Sequence, residues 1–424
     1  MYKKIVFILL FLSFVIDAGA QNTVSSPYSK YGIGDNVGFT NTINASMGGI
    51  YNALRRNNFV NHRNPASYTA IDTQSFVFDI GYYSNNITLQ SNSAVSKGNT
   101  GGISHILFAF PLSKTLKMAG GILPVSVIDF SAAESFPKDS IIGSHKFIYD
   151  GEGGINKVML GIAYQPSFFD KLSIGVNAEY LFGNYYRSST LTFPDSANTL
   201  SSRTEYNYSI SAFNFNFGAQ YLQTFNNGDA LTIGFNYVLP AHLPTKNQYR
   251  HYTFSSAAAI ETIRDSIKYS NTTGEIQLPQ SVGVGLSYAR ENKFLFGLDL
   301  GYEQWSNFSL QGVTYEQILK DNYTLNIGCE YKPNVYGNYL EKIAYRLGVN
   351  YQTGIITLRN TNISQIGIAL GFGLPIKKQG TQVNLYLEYG KKGTTQNDLI
   401  RENYLRVGIS FSARDRWFFK RKYQ

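Results

Sequence analysis

The stretch QVNLYLEYG, residues 382–390, alternates between apolar and polar side chains. A period of two indicates a β-strand with two unlike faces. The apolar face carries Val383, Leu385, Leu387 and Tyr389. The other face carries Gln382, Asn384, Tyr386, Glu388 and Gly390. The apolar face must lie against either a packed core or lipid, and the rest of the sequence decides between these two surroundings.

The same alternation recurs along the chain and predicts 14 strands. The connections between them alternate in length, from three residues at 291–293 to 38 at 241–278. An even number of strands, with short turns at one end and long loops at the other, is typical of outer-membrane β-barrels. The predicted strands are residues 74–85, 102–112, 116–130, 153–166, 171–184, 205–222, 229–240, 279–290, 293–306, 320–332, 342–353, 363–375, 381–391 and 402–413.

The composition supports a membrane barrel over a soluble β-sandwich or propeller. Among 424 residues there are 32 Tyr, 29 Phe and 39 Gly, and only 15% are charged. Membrane barrels carry aromatic girdles at both bilayer interfaces, whereas sandwiches and propellers show no such asymmetry of connections. We therefore predict an all-β, transmembrane, 14-stranded antiparallel outer-membrane barrel over residues 73–413, with Val383, Leu385, Leu387 and Tyr389 against outer-membrane lipid.

The N-terminus has the pattern of a secretory signal peptide. Lys3 and Lys4 precede an apolar run, residues 5–16, and Ala18-Gly19-Ala20 fits the cleavage rule. Residues 1–20 are thus predicted to be removed on export to the outer membrane. No other segment approaches 18 apolar residues, which excludes a helical membrane protein. The net charge of +9 suits anionic head groups, and export argues against nucleic acid as a partner.

Residues 21–72 do not alternate and are predicted to fold into the lumen as a plug. Gly, Asn and Ser dominate this segment. Two short elements stand out in it, Met47-Gly48-Gly49 and Asn64-Pro65-Ala66. Charged residues on the polar strand faces are predicted to pair across the lumen as a structural network. They are Glu179, Asp299, Glu303, Glu330, Arg346, Glu388 and Arg406.

This plan resembles the FadL-type outer-membrane transporters of hydrophobic compounds. The similarity rests on the small-residue element at Met47–Gly49, the Asn64-Pro65-Ala66 triplet before the first strand, and the 14 strands. The opening SSPYSKYGIGD and the ending RWFFKRKY resemble the Bacteroidetes branch of that family. The resemblance implies passive uptake of a hydrophobic small molecule, similar to a long-chain fatty acid, through plug movement and lateral release.

Lateral release needs a gap in the barrel wall, and one segment is suited to form it. Gly120, Gly121 and Pro124 interrupt a predicted strand, and Pro cannot donate to a ladder. A local bulge without a transport role is the alternative.

Other chemistry finds little support in the sequence. The five His residues lack metal-type spacing, so neither a metal nor a cofactor is predicted. His105 is the only strand His that follows a Ser, and adjacent strand residues point to opposite faces, so an enzyme is not expected. A single cysteine, Cys329, rules out an intrachain disulfide.

Three Asp-Ser-aliphatic triplets lie in predicted long loops and are candidate O-glycosylation sites, at Ser140, Ser196 and Ser266. Residues 414–424 form a basic-aromatic C-terminal tail.

The sequence predicts one function and leaves an alternative open. The predicted function is that of an uptake channel for hydrophobic small molecules. The alternative is an accessory, non-transport barrel subunit of a complex for outer-membrane protein export or assembly, with other outer-membrane proteins as partners. An apolar pocket above the plug would favour uptake, whereas a filled lumen and an exposed apolar patch at one rim would favour the accessory role.

Overall fold

The structure is a computed structural model of the chain. It describes residues 26–37, 41–139, 143–194, 199–257, 260–291, 293–310, 313–314, 318–376 and 380–416. The predicted signal peptide, residues 1–20, lies outside the described residues.

Strands account for most of the described chain. The bounds are β1 Asp35–Asn36, β2 Ser75–Gln90, β3 Val95–Pro111, β4 Leu116–Asp139, β5 Gly143–Tyr164, β6 Leu172–Thr192, β7 Ser201–Thr224, β8 Ala230–Val238, β9 Ala241–Ala257, β10 Ile260–Leu278, β11 Ser281–Arg290, β12 Phe294–Glu303, β13 Ser309–Leu310, β14 Val313–Thr314, β15 Asn322–Tyr331, β16 Ala344–Gln352, β17 Thr357–Leu358, β18 Thr361–Asn362, β19 Gln365–Pro375, β20 Gln382–Lys392 and β21 Arg401–Arg416.

Fourteen of these strands close an antiparallel barrel, which confirms the predicted fold class. The order around the wall is β2, β3, β4, β5, β6, β7, β8, β11, β12, β15, β16, β19, β20 and β21. Closure comes from β21, which pairs with β2 from Ser75↔Arg416 to Gln90↔Arg401. A closed barrel leaves no free backbone groups at a seam between first and last strand.

The two strand faces are sorted as the alternation predicts. On β20, Gln382, Asn384, Tyr386 and Glu388 are buried in the lumen, whereas Leu387 and Tyr389 are exposed on the outer wall. The outer wall as a whole carries exposed Ile, Leu, Val, Phe and Tyr side chains. This apolar outer face is the surface that a lipid-embedded barrel requires.

Four of the predicted long loops were wrong, because most of their residues form strands. Residues 86–101, 131–152 and 185–204 largely continue their neighbouring strands, and residues 241–278 form the β9–β10 hairpin. Register continues from β8 to β9 on one side of β7, with Asn216↔Val238 followed by Ile210↔Thr245. In the polar outer hairpins, apolar and polar side chains do not clearly alternate, because no lipid faces these hairpins. Pairing between the backbones of their strands keeps them extended.

The two ends of the barrel therefore differ. The short-turn rim holds the connections 112–115, 165–171, 225–229, 291–293, 332–343 and 376–381. The long-hairpin rim holds the extended hairpins at the opposite end. The last strand, β21, runs to Arg416, three residues into the predicted tail, and residues 417–424 lie outside the described residues.

The helices of the described residues are short. The α-helix α1 is Thr42–Ser46, and 3₁₀ helices span Pro27–Lys30, Pro65–Ala70, Trp305–Asn307, Leu340–Lys342 and Gln396–Asp398. Across the described ranges, none of the helices has the length and apolarity to cross a membrane. Residues 41–71, which we call the lumenal segment, pack against the inner wall with most of their side chains buried.

Candidate functional site in the barrel lumen

The lumenal segment begins with a capped helix. Asn41 caps α1 by accepting a hydrogen bond on its side chain from the Ile43 N–H at 2.8 Å. The helix ends at Met47, and Gly48 and Gly49 follow with φ of 66° and 85°, a region that favours glycine. A Cβ on Gly48 would lie within 3 Å of the backbones of β15 and β16. The predicted Met47-Gly48-Gly49 element thus lies where backbone meets backbone against the wall.

The Asn64-Pro65-Ala66 triplet forms the second wall contact. Asn64 caps the 3₁₀ helix Pro65–Ala70, and its Nδ2 donates to the Asn52 carbonyl at 2.6 Å and to the Phe235 carbonyl at 3.3 Å. Pro65 lies against Gly175 of β6 and Gly218 of β7, where any Cβ would collide with it. Both sequence elements therefore lie in the lumen, on different arcs of the wall.

A wall carboxylate holds the turn between these two elements. The Asp299 Oδ2 accepts hydrogen bonds from the N–H groups of Tyr51 and Asn52, at 2.7 and 2.8 Å. Asp299 belongs to β12 and is almost fully buried. Two buried N–H groups would otherwise have no acceptor, and leaving a buried donor unpaired is costly. Alternation along β12 predicts that Asp299 faces the lumen, but does not predict its backbone partners.

Ion pairs hold several of the predicted lumenal charges, but they join neighbouring strands or the lumenal segment, so the predicted pairing across the lumen was wrong. Glu330 lies 2.5 Å from Arg56, 2.8 Å from Arg346 and 3.2 Å from Lys332. Because Arg56 belongs to the lumenal segment and the others to the wall or its turn, this cluster ties the two together. Elsewhere Lys157 pairs with Glu179 at 2.8 Å and Arg406 with Glu388 at 3.6 Å.

Burial lowers the pKa of two basic side chains in the lumenal segment. Burial lowers the pKa of Arg55 to about 10, and its guanidinium donates to the neutral side chains of Ser173, Gln220 and Gln165. Burial also lowers the pKa of His62 well below its usual value, so His62 is neutral at pH 7. The His62 carbonyl accepts from Asn177 Nδ2 at 2.8 Å.

One cluster contradicts the expectation that Ser104 and His105 point to opposite faces. A register shift in β3 opposite Gly81 and Tyr82 brings both side chains to one side, with Ser104 Oγ 2.9 Å from His105 Nδ1. His105 Nε2 lies 3.3 Å from Asp79 Oδ1. Bulges insert a residue and re-aim side chains, which the period-two rule ignores.

This cluster is closed by the lumenal segment. Asn41 Nδ2 donates to Asp79 Oδ2 at 2.7 Å, and Ser412 Oγ donates to Asp79 Oδ1 at 3.0 Å. His105 and Asp79 are fully buried. A substrate would have to displace the lumenal segment to reach Ser104, so the cluster fits a structural role.

The pairing between the wall strands β3 and β4 ends beside this cluster. β3 and β4 pair only from Ile106↔Ile122 to Pro111↔Lys117, although β3 continues along β2 and β4 along β5. We call the unpaired part, residues 95–105 of β3 and 123–139 of β4, the wall seam. Gly120 and Gly121 directly precede Ile122, the last residue of β4 that pairs with β3, and Pro124 adjoins a register shift at Pro124/Ser126.

The N-terminal strand occupies one edge of the wall seam. β1 pairs with β4 as Asp35↔Val127 and Asn36↔Ser126, and the Val37 N–H donates to the Val125 carbonyl at 3.0 Å. Gly34 allows this approach, since its φ is 100° and a Cβ would lie within 3 Å of the Val127 backbone.

Charged and polar contacts hold the N-terminal segment to β20, β21 and the connection between them. Lys392 Nζ lies 2.6 Å from Asp35 Oδ1 and 3.7 Å from Glu402, and Ser26 donates to Glu402. Tyr28 is joined to Ile400 by two hydrogen bonds, at 2.6 and 3.1 Å.

An apolar cluster of buried side chains lies toward the long-hairpin rim, and we call it the upper cluster. It draws on the N-terminal segment, on wall strands and on connections that fold inward. Its buried members are Tyr28, Ile33, Ile128, Phe130, Ile155, Leu181, Tyr185, Tyr208, Ile210, Ala212, Ala241, Leu243, Ile276, Leu278, Trp305, Phe308, Leu310, Leu319, Ile356, Ile363 and Leu399.

The remaining predicted sites are only partly described. Ser140 and Ser196 lie outside the described residues. Ser266 is exposed on β10, so its prediction in a loop was wrong, and it lines a polar cavity of about 420 Å³ with Arg250, His251 and Lys268. Within the described ranges, no group of three or more His, Cys, Asp or Glu residues is arranged to hold a metal ion.

Solved structures share this fold. The chain is similar to the CymD monoaromatic hydrocarbon channel, with 16% identity, a TM-score of 0.57, and coverage of 90% of this chain and 98% of that one. It is similar to the P. putida toluene transporter TodX, with 14% identity, a TM-score of 0.57, and 89% and 98% coverage. It is also similar to a Pseudomonas aeruginosa FadL homologue, with 12% identity, a TM-score of 0.58, and 89% and 98% coverage.

These similarities confirm the resemblance to FadL-type barrels at the level of fold. A search of curated proteins found no match. The sequence model of one family, described as BamG, matches residues 1–424. A match over the full length of the sequence means that this chain belongs to the BamG family.

Proposed function

We propose that this protein is an accessory, non-transport barrel subunit of an outer-membrane complex for protein export or assembly. The observation that carries the proposal is that buried apolar side chains of the chain itself pack together above the lumenal segment. Tyr28 and Ile33 bring the N-terminal segment into the upper cluster, where both are buried. An uptake channel would need its apolar binding space at this position.

The contacts below the upper cluster also favour a closed lumen. The lumenal segment meets the wall backbone to backbone at Gly48 and Gly348, and Asp299 and Glu330 bind it through hydrogen bonds and an ion pair. Moving the segment would leave buried charges and N–H groups without partners, at a cost of about 1–3 kcal/mol for each group. Passive uptake supplies no energy source for such a step.

An ordered turn on the short-turn rim supports a protein partner. Short turns of outer-membrane barrels face the periplasm, so residues 332–343 would lie there. The Asn334 N–H donates to the Glu341 carbonyl at 3.0 Å, and Asn338 Nδ2 donates to Glu341 Oε1 at 2.6 Å. This turn displays Tyr336, 94% exposed, and Leu340, 65% exposed. Apolar side chains on an ordered turn can bind a partner with little further loss of entropy.

Passive uptake of a hydrophobic small molecule, similar to a long-chain fatty acid, is the second candidate. The observation that favours it is the wall seam, which begins next to Gly120, Gly121 and Pro124 and could release an apolar molecule sideways into lipid. The fold shared with hydrocarbon channels gives it further support.

One experiment separates the two functions. The protein is purified from native membranes in mild detergent, and mass spectrometry identifies its bound proteins and small molecules. We compare the wild type with a Tyr336→Asn/Leu340→Asn variant. A matched control, Ile260→Asn/Ile267→Asn, changes exposed apolar side chains of β10 near the opposite rim.

The accessory role predicts stoichiometric protein partners that are lost from the Tyr336→Asn/Leu340→Asn variant and kept by the control. About one apolar molecule per chain, with no stoichiometric protein, would overturn the accessory role in favour of uptake.

A further inference from the structure

We propose that the wall seam binds one extended strand of a different polypeptide, which pairs with the free edge of β3. This inference deepens the proposed function and rests on it for the presence of a partner chain. It assigns the contact to the wall itself, apart from the apolar turn at residues 332–343.

The free edge belongs to the part of β3 from Val95 to His105. Among the described residues, this part pairs with β2 alone, from Gln90↔Val95 to Gly81↔His105. A strand with one neighbour presents unpaired N–H and C=O groups along its other edge, and these groups are a template for another strand.

The lower end of this edge lies at membrane depth. The six β3–β4 pairs below it begin at the short turn, residues 112–115. With a rise of about 3.3 Å per residue and a tilt near 40°, six residues reach roughly 15 Å from that turn, inside an apolar band about 25 Å tall. Unpaired backbone groups cost several kcal/mol each in lipid, so this edge needs a partner.

Both faces of β3 are open next to this edge. A Cβ built on Gly102 meets no atom within 4 Å, and Ile103 is 55% exposed on the outer wall. Gly98, Gly101 and Gly102 also keep this part of β3 free of bulky side chains. A neighbouring backbone can approach a strand of this kind closely.

The β4 edge of the wall seam already pairs with a strand, which indicates what can pair with the β3 edge. Continuing the β3–β4 register beyond Ile106↔Ile122 would place Gly102 opposite Ser126. β1 takes that position instead, with Asn36 paired to Ser126. An extended segment of this chain thus already binds one edge of the seam through its main chain, and the β3 edge offers the same groups.

The unpaired N–H and C=O groups of the β3 edge determine what kind of molecule can bind there. Only a polypeptide backbone supplies donors and acceptors at strand spacing, which an acyl chain lacks. Ile103 faces outward and Gly102 inward, so the partner strand should alternate apolar side chains toward lipid with small or polar ones toward the lumen.

The test uses a photo-crosslinking amino acid in the full-length protein in native membranes. It is introduced singly at Lys97, Asn99 and Ile103, whose side chains share the outer face of β3. The control position is Ile368 on β19, which is 56% exposed and lies on a strand paired on both edges. Heat-modifiable migration on gels confirms that each variant forms a barrel.

We expect all three seam positions to cross-link to one segment of a different protein. The cross-linked residue should shift by two when the probe moves from 97 to 99, and by four from 99 to 103, as a β-ladder requires. Ile368 should give no cross-link to that segment.

Cross-links to lipid alone, to scattered sites, or to a second copy of this chain would overturn the proposal. Failure here while the partner controlled by Tyr336 and Leu340 still co-purifies would leave the accessory role intact. Absence of any stoichiometric partner would instead overturn the proposed function.

Discussion

Lys392 Nζ lies 2.6 Å from the Asp35 carboxylate, and this ion pair ties the N-terminal strand β1 to the wall strand β20. β1 lies against β4, whereas Lys392 belongs to β20, which is four strands away from β4 around the wall. The stability of β1 at the seam should therefore depend on a charge that lies on another part of the barrel.

Neutralising this pair should loosen the N-terminal segment while the barrel stays folded. For Asp35→Asn we expect faster amide exchange in residues 26–37, by about 10-fold, because a charge-assisted hydrogen bond contributes about 1.5–3 kcal/mol and this one is partly exposed. Hydrogen exchange with mass spectrometry measures it. The control is Lys391→Met, an exposed neighbour on β20, which should leave exchange unchanged. Equal exchange in Asp35→Asn and wild type would contradict the assigned role of the pair.

Removal of the Asp299 carboxylate should destabilise the lumenal segment. Asp299→Ala leaves the Tyr51 and Asn52 N–H groups without their acceptor, at an expected cost of about 2–4 kcal/mol in the free energy of unfolding. Urea unfolding in detergent, followed by tryptophan fluorescence, measures this loss. Asp265→Ala on exposed β10 serves as the control. A loss no larger than that of the control would show that the turn does not depend on Asp299.

Glycine at position 348 should be essential for the close approach of the lumenal segment to the wall. In Gly348→Ala the new Cβ would collide with the Met47–Gly48 backbone, and we expect a destabilisation of about 1–3 kcal/mol from overpacking. Gly102→Ala is the matched control, since it also adds one methyl group to a wall strand but meets open space. Thermal melting of the two variants side by side checks this prediction. Similar melting temperatures would mean that the segment moves aside at little cost.

Breaking the Glu330 cluster should cost more than removing a surface ion pair. Glu330→Gln leaves Arg56 and Arg346 without their carboxylate partner, and removal of one member of a buried pair costs about 3–5 kcal/mol. The double variant Glu330→Gln/Arg346→Met should regain part of this loss, because one uncompensated charge is removed as well. A double-mutant cycle in urea unfolding measures the coupling, and purely additive losses would argue against it.

The barrel itself could be predicted from the sequence, because each wall strand meets lipid on one face and a polar lumen on the other. Val383, Leu385 and Leu387 alternate with Gln382, Asn384 and Glu388 for this reason, and the same contrast recurs on β6, β12, β15, β16 and β21. The lumenal position of Asp299, Glu330 and Arg346 followed from the same alternation. These are local properties of an extended chain and need no knowledge of neighbouring strands.

Only the tertiary structure decided the features that depend on which strands meet. The bulge that brings Ser104 beside His105, the end of β3–β4 pairing at Ile106, and the position of β1 on β4 all arise from pairing between distant segments. The polar hairpin β9–β10 was missed for a related reason, since its strands are kept extended by each other rather than by lipid. Side-chain alternation records what each face of a strand touches, whereas register and edge pairing are backbone contacts that leave no period in the sequence.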